Sequence, residues 1–241
     1  MKICVIGNSH IAALKLAIKE RLFQCKNMEV IFWGLPGRAY YRIVYEDGHF
    51  TTHGGGRRGR VLEISDGRYQ DINPNDFDAL LFHGSHKASD LLFSLRKHAA
   101  DVREYSQGFL RAGIGAWLED NFSVTLASSV EDSFRGKILL SPIAMVSEDS
   151  QENSAMEVRR EELHFLNDVI NDVLAKKKVT YVAQPDETIK ENKYTDRRYS
   201  INSVRLSRDL DIKHEADEYF HMNAEYGREV LMNVENMLGR A

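Results

Sequence analysis

Five short apolar runs recur along the chain: Lys2–Ile6, Glu29–Trp33, Ala79–Phe82, Lys137–Ser141 and Val179–Ala183. Runs this short, without polar alternation, predict strands buried on both faces of a parallel sheet. Between most of them the apolar positions change to a helical period. Ile11–Phe23 places Ile11, Leu14, Ala17, Ile18 and Leu22 on one face, and Ser89–Leu110 does so with Leu91, Leu92, Leu95, Ala99, Val102 and Phe109. Met156–Leu174 carries Val158, Leu163, Leu166, Val169, Ile170 and Val173, and Asn223–Leu238 carries Tyr226, Val230, Leu231, Val234 and Leu238.

Alternating strands and helices predict a three-layer α/β/α fold with a flavodoxin-like parallel sheet of about five strands. Residues 40–72 break the rhythm. The turn signals Glu46-Asp47-Gly48 and Ser65-Asp66-Gly67, flanked by β-prone residues, predict one or two hairpins inserted in a single domain spanning 1–241, as a lid or an oligomer contact. Glu148–Ser154 reads as a polar loop and Asp186–Ser200 as a charged, mobile segment. In an open sheet of this kind ligands bind beyond the carboxyl ends of the strands. That rule selects Gly7–His10, Gly34–Arg38, His83–His86, Ser141-Pro142 and Gln184-Pro185.

The composition, 43% hydrophobic and 28% charged over 241 residues, is that of a soluble globular chain. A domain of this size buries roughly 70–75% of its unfolded surface and needs no disulfides. The two cysteines, Cys4 and Cys25, read as buried free thiols. A net charge of -4 argues for neither a nucleic-acid partner nor an anionic membrane. The apolar run before Gly7 is too short for a signal peptide, and no stretch of about 18 apolar residues exists, so a cytoplasmic location is expected.

The candidate chemistry lies at the two ends. Ser9 follows the first strand, and His221 follows Asp217 and Glu218 by four and three residues. A hydroxyl, an imidazole and a carboxylate are the parts that activate a serine. A serine before a helix is also a common N-cap, so Ser9 has two readings. The residues Gly7-Asn8-Ser9-His10, His83-Gly84-Ser85-His86 and Glu218-Tyr219-Phe220-His221, with His-Met-Asn-x-x-Tyr-Gly opening the last helix, resemble the sequence blocks of the SGNH hydrolases, the GDSL-like esterase superfamily. Asn8 stands where that family has Asp, Glu218 where it has Asp, and His86 where it has the oxyanion-hole Asn.

The resemblance implies an esterase that cleaves a small acyl group, such as acetate on a carbohydrate, through an acyl-Ser9 intermediate. His221 would be base and then acid, oriented by Glu218 or Asp217. The Ser9 N–H, a glycine N–H from Gly34 or Gly37, and His86 or Ser85 would hold the oxyanion. No metal and no organic cofactor is implied. Transfer of the acyl group to a carbohydrate, and a non-catalytic binding protein on the same fold, are the alternatives. The partner is a small-molecule or glycan ester, and the oligomeric state is open.

Two other patterns are weaker. His53-Gly54-Gly55-Gly56 matches the oxyanion loop of lipases, but no G-x-S-x-G elbow accompanies it, and with Arg57-Arg58-Gly59-Arg60 it reads as a flexible basic loop. The pairs His49/His53 and His83/His86 have metal-ligand spacing without a convincing further ligand set.

Overall fold

The computed structural model describes residues 1–24, 27–150 and 157–239. The chain runs β1 (Lys2–Gly7), α1 (Ile11–Lys19), β2 (Glu29–Gly34), β3 (Ile43–Glu46), β4 (His49–Thr52), α2 (Gly55–Ile64), β5 (Ala79–Ser85), α3 (Ala88–Arg96), α4 (Gln107–Glu119), α5 (Phe122–Ser128), β6 (Lys137–Pro142), α6 (Arg160–Ala175), β7 (Val179–Tyr181), β8 (Ile189–Lys190), β9 (Tyr194–Thr195) and α7 (Ala224–Gly239). All five apolar runs enter one parallel sheet of order β2-β1-β5-β6-β7. Alternate side chains leave opposite faces of a strand. Cys4, Ile6, Trp33, Leu80, Phe82 and Leu140 therefore join one core, and Ile3, Val5, Phe32, Leu81 and Leu139 the other. Residues of α3, α4, α5 and α6 complete the first core, and residues of α1 and α7 the second. β1 lies between β2 and β5, so the chain reverses its direction of sheet growth there, the position at which open α/β sheets bind ligands beyond the carboxyl ends of their strands.

The inserted region holds one hairpin. β3 and β4 pair through Glu46↔His49, and both loop residues, Asp47 and Gly48, have positive φ, as a tight two-residue turn requires. The hairpin is anchored on the core: Phe50 is fully buried and packs edge-on to Phe82 at 5.7 Å. The second turn signal ends a helix instead of a hairpin, with Asp66 and Gly67 at positive φ and the Gly67 N–H returning to Leu62 O. That helix, α2, corrects the expected flexible basic loop. Its arginines are tied locally: Arg57 to His53 O, Arg58 to Asp71 at 2.9 Å, and Arg60 to Glu63 and Leu206 O.

The single helix expected over Ser89–Leu110 is two. Asp101 accepts from the Arg103 N–H and Ser106 from the Phe109 N–H, and these caps restart the chain as a short 3₁₀ turn and then α4. Phe109 is consequently exposed and stacks on Tyr105. Leu22 is exposed as well, because α1 stops at Lys19 and Arg21 turns to positive φ. The segment expected to be mobile, Asp186–Ser200, is built into the core: Gln184 Nε2 donates to the buried hydroxyls of Thr188 and Thr195, each at 3.0 Å. Cys4 is a buried free thiol, whereas Cys25, Met156 and most of the polar loop over Glu148–Ser154 lie outside the described residues. Among the described residues no helix is long and apolar enough to cross a membrane.

Candidate active site

β1 ends where no side chain fits. A Cβ on Gly7 would stand 2.3 Å from His83 O and 2.4 Å from Ile11. The turn that follows is organised by Asn8, whose Nδ2 donates to Gly84 O while its Oδ1 accepts from the His10 N–H. Gly84, at φ +110, leaves the space Asn8 occupies: a Cβ there would meet Asn8 Oδ1 at 2.6 Å. Asn8 thus locks the tip of β1 to the tip of β5. Ser9 is the next residue, and its side chain does not cap α1, which begins with the Ala12 N–H donating to Ser9 O. The hydroxyl is committed elsewhere. Ser9 Oγ lies 2.9 Å from His221 Nε2, a contact between residues 212 apart in sequence.

His221 is delivered by the approach to α7. Asn223 fixes that approach with both ends of its amide: Nδ2 donates to Arg198 O and Ile201 O, and Oδ1 accepts from the N–H groups of Glu225 and Tyr226. Met222 is buried beside it. α7 then crosses α1 at van der Waals contact of the backbones, because a Cβ on Gly227 would stand 2.1 Å from Ala13 O. Since α1 starts at the serine turn, this crossing sets His221 over Ser9.

The imidazole of His221 sits in a stack of three. His10 covers one face, with ring centroids 4.5 Å apart and planes 10° from parallel, and His214 lies at 4.3 Å and 15°. Glu218 Oε1 is 3.4 Å from His221 Nδ1, an ion-pair distance that falls short of a hydrogen bond, so Nδ1 is buried without a hydrogen-bond partner. The same carboxylate accepts from the Phe220 N–H and turns its second oxygen to His214 Nδ1 at 4.0 Å. Burial raises the Glu218 carboxyl, but the Phe220 N–H and the neighbouring His221 outweigh it, and the group sits below the usual carboxylate range. Burial, with the charge of neighbouring cations, holds His10 well below the ordinary imidazole value and lowers His214. His83, fully buried on β5 with Nδ1 3.1 Å from Ser141 Oγ, is pushed by burial to about 4.

The structure does not gather every expected residue. Asp217 is exposed, with no hydrogen bond or ion pair among the described residues. Gly34 is packed against Gly7, where a Cβ would stand 1.9 Å from Gly7 O, while Gly37 is exposed at φ +54. Ser85 is buried, and His86 lies edge-on to Trp117 at 6.0 Å. No hydrogen bond or ring contact among the described residues joins Gly34, Gly37, Ser85 or His86 to Ser9 or His221. His49 and His53 face Asp47 O and Glu46 respectively. Among the described residues the one three-ligand cluster is His214, Glu218 and His221. His10 and His214 had no role in the sequence reading. The signal for His10 was its place beside Ser9, and His214, in a charged segment without periodicity, had none.

An open parallel sheet with a hydroxyl, an imidazole and a carboxylate in line at its switch point defines the class of this molecule: an α/β protein of the architecture expected from the resemblance. No family model matches the chain, and no curated protein matches it. Solved structures similar to it include a Streptococcus pneumonia protein described by reference to platelet activating factor, at 12% identity and a TM-score of 0.48 over 98% of this chain and 83% of that one. A GDSL-like lipase from Bacteroides thetaiotaomicron is similar at 11% and 0.42, over 99% and 88%. A carbohydrate acetylesterase family member from Sinorhizobium meliloti is similar at 11% and 0.42, over 100% and 98%. Identities and scores this low carry no information about chemistry, which has to come from the site itself.

Proposed function

We propose that the chain is a serine esterase of the SGNH type that cleaves a small acyl ester through an acyl-Ser9 intermediate. The observation that supports this best is the 2.9 Å contact between Ser9 Oγ and His221 Nε2, within the reach a general base needs. With Nε2 unprotonated, the hydroxyl donates to the ring. Ser9 Oγ attacks the ester carbonyl as Nε2 takes its proton, and the imidazolium returns that proton to the leaving alcohol. Water, activated by the same nitrogen, releases the acid. Glu218 faces Nδ1, the nitrogen that carries the ring proton throughout, and steadies the imidazolium.

The flanking rings fit the same reading. His10 and His214 are both held below the ordinary imidazole value, so they stay neutral while His221 takes the charge. The oxyanion donors in this proposal are the Ser9 N–H and a group from the neighbouring strand ends, Gly34 or Gly37 with His86 or Ser85. An O-acetylated carbohydrate is the substrate class the resemblance suggests, with acyl transfer to a carbohydrate as the companion reaction of the same intermediate.

Ser9→Ala is expected to abolish hydrolysis of p-nitrophenyl acetate while leaving the circular dichroism spectrum and melting temperature near those of the parent. A fluorophosphonate probe should label the parent stoichiometrically at Ser9. Hydrolysis that persists in Ser9→Ala, or a parent that neither turns over esters nor takes the label, overturns the proposal.

A further inference from the structure

The geometry points to His10 and His214 as positioning residues: two stacked rings that clamp the His221 imidazole in line with Ser9, the task a hydrogen-bonded carboxylate performs in a Ser-His-Asp triad. A general base needs more than reach to the serine. The plane of its ring must also be fixed. Here Glu218 stops at 3.4 Å, and His221 Nδ1 is buried without a hydrogen-bond partner. A carboxylate at that distance attracts the ring but does not fix its plane. The plane is set from the faces instead. His10 lies at 4.5 Å and 10° from parallel, and His214 at 4.3 Å and 15°. Turning the imidazole about its Cβ–Cγ bond would sweep its edges into both neighbours.

The two rings come from separate segments, and each is anchored. His10 belongs to the serine turn: its N–H donates to Asn8 Oδ1 at 3.1 Å, and Asn8 is tied to Gly84 O. One face of the base is therefore held by the same turn that presents Ser9. His214 comes from the segment that precedes the base, where its N–H donates to Ser203 O at 3.0 Å and Lys213 bridges to Val204. The other face is thus fixed independently of the serine turn.

The clamp also suits the charge that His221 takes up. An uncharged aromatic ring presents a negative face that attracts a cation, whereas a charged ring would repel it. Burial is the first cause that keeps both flanking rings toward the neutral form. His221, His83 and Lys87 act in the same direction at His10, as do His221 and Arg205 at His214, where Glu218 opposes them. The kinetic consequence of the clamp rests on the serine-esterase reading above, whereas the clamp itself does not.

The test separates the two. His10→Ala, His10→Phe, His214→Ala and His214→Phe are compared with the parent by ester hydrolysis and by NMR of the histidine rings, the His221 signal being assigned by its loss in His221→Gln. Both positions are half-buried, so truncation should leave a folded chain, which the melting temperature checks. Each alanine variant is expected to lower kcat by about ten- to a hundredfold, the cost of a misplaced catalytic group, with KM little changed. Phenylalanine keeps a ring on the face and should recover most of that loss. Glu218→Gln should cost more in the His10→Ala background than in the parent, because less then remains to hold the ring. The His221 Cε1 proton, shielded by its neighbours in the parent, should move downfield in the alanine variants and stay near its parent position in the phenylalanine variants. Alanine variants that keep both the parent kcat and the parent His221 signal overturn the proposal, as do phenylalanine variants that lose as much kcat as the alanines. A parent that hydrolyses no ester removes the esterase reading alone, because the ring signals still report the clamp.

Discussion

His221 is held by contacts of different kinds: the Ser9 hydroxyl at Nε2, Glu218 at Nδ1, and a ring on each face. With His221 as the base of the proposed esterase, kcat for ester hydrolysis is expected to fall by about 10²–10⁴ in His221→Ala, the usual contribution of a positioned general base. Glu218→Gln should lower kcat by less, with KM little changed, because a 3.4 Å contact is loose and the two flanking rings still hold the imidazole. Equal losses in the two variants would show that the carboxylate is indispensable. At this scale Ser9 and His221 were legible in the sequence, since each sits at the boundary of a recognisable element. The acid was not. Whether Asp217 or Glu218 faces the ring depends on a local turn, closed here by the Phe220 N–H on Glu218, and adjacent residues in a turn point different ways. His214 was illegible for a related reason: stacking is a product of loop packing, which has no period.

At the scale of elements, two glycines in helices make opposite predictions. Gly227 lies where α7 touches the backbone of α1, so Gly227→Val must push the helices apart. It is expected to destabilise the protein by about 1–3 kcal/mol, the usual effect of overpacking, and to lower kcat by drawing His221 from Ser9. Gly113 in α4 has open space around its missing Cβ. Gly113→Ala should stabilise by about 0.5–1 kcal/mol, the helix-propensity difference, and leave kcat unchanged. Urea denaturation and steady-state kinetics on both variants check the pair. The strands were legible as uninterrupted apolar runs, and three of the four expected helices kept their identity. α2 was missed because three glycines and three arginines mask its short apolar face of Val61 and Ile64. The break between α3 and α4 was missed because Asp101 and Ser106 act through caps, which a search for periodicity passes over.

At the scale of the whole molecule, buried His83 and the half-buried His10 and His214 make stability sensitive to acid. His83 titrates near 4 in the folded protein and near the ordinary 6.5 when unfolded. Between those values the unfolded chain binds more protons, so stability is undiminished above about pH 6.5 and falls as the pH drops toward 4. Its loss should reach about 2 kcal/mol by pH 5, with His10 and His214 adding in the same direction because burial lowers both. Urea midpoints measured between pH 7 and pH 5 are expected to decline, and His83→Gln, neutral throughout, should flatten that slope. A parent whose midpoint is constant over the range would show these rings to be freely protonated. The sequence by itself determined the layers and the strands, because burial on both faces of a parallel sheet demands short apolar runs, set off here by helical periods between them. It also placed Ser9 and His221 at element ends. Only the tertiary structure decided that they meet, that Glu218 and not Asp217 faces the ring, and that His10 and His214 enclose it. The meeting of Ser9 and His221 turns on the crossing of α1 and α7 at Gly227, a contact between distant segments, and the other two outcomes turn on loop packing that no periodic pattern encodes.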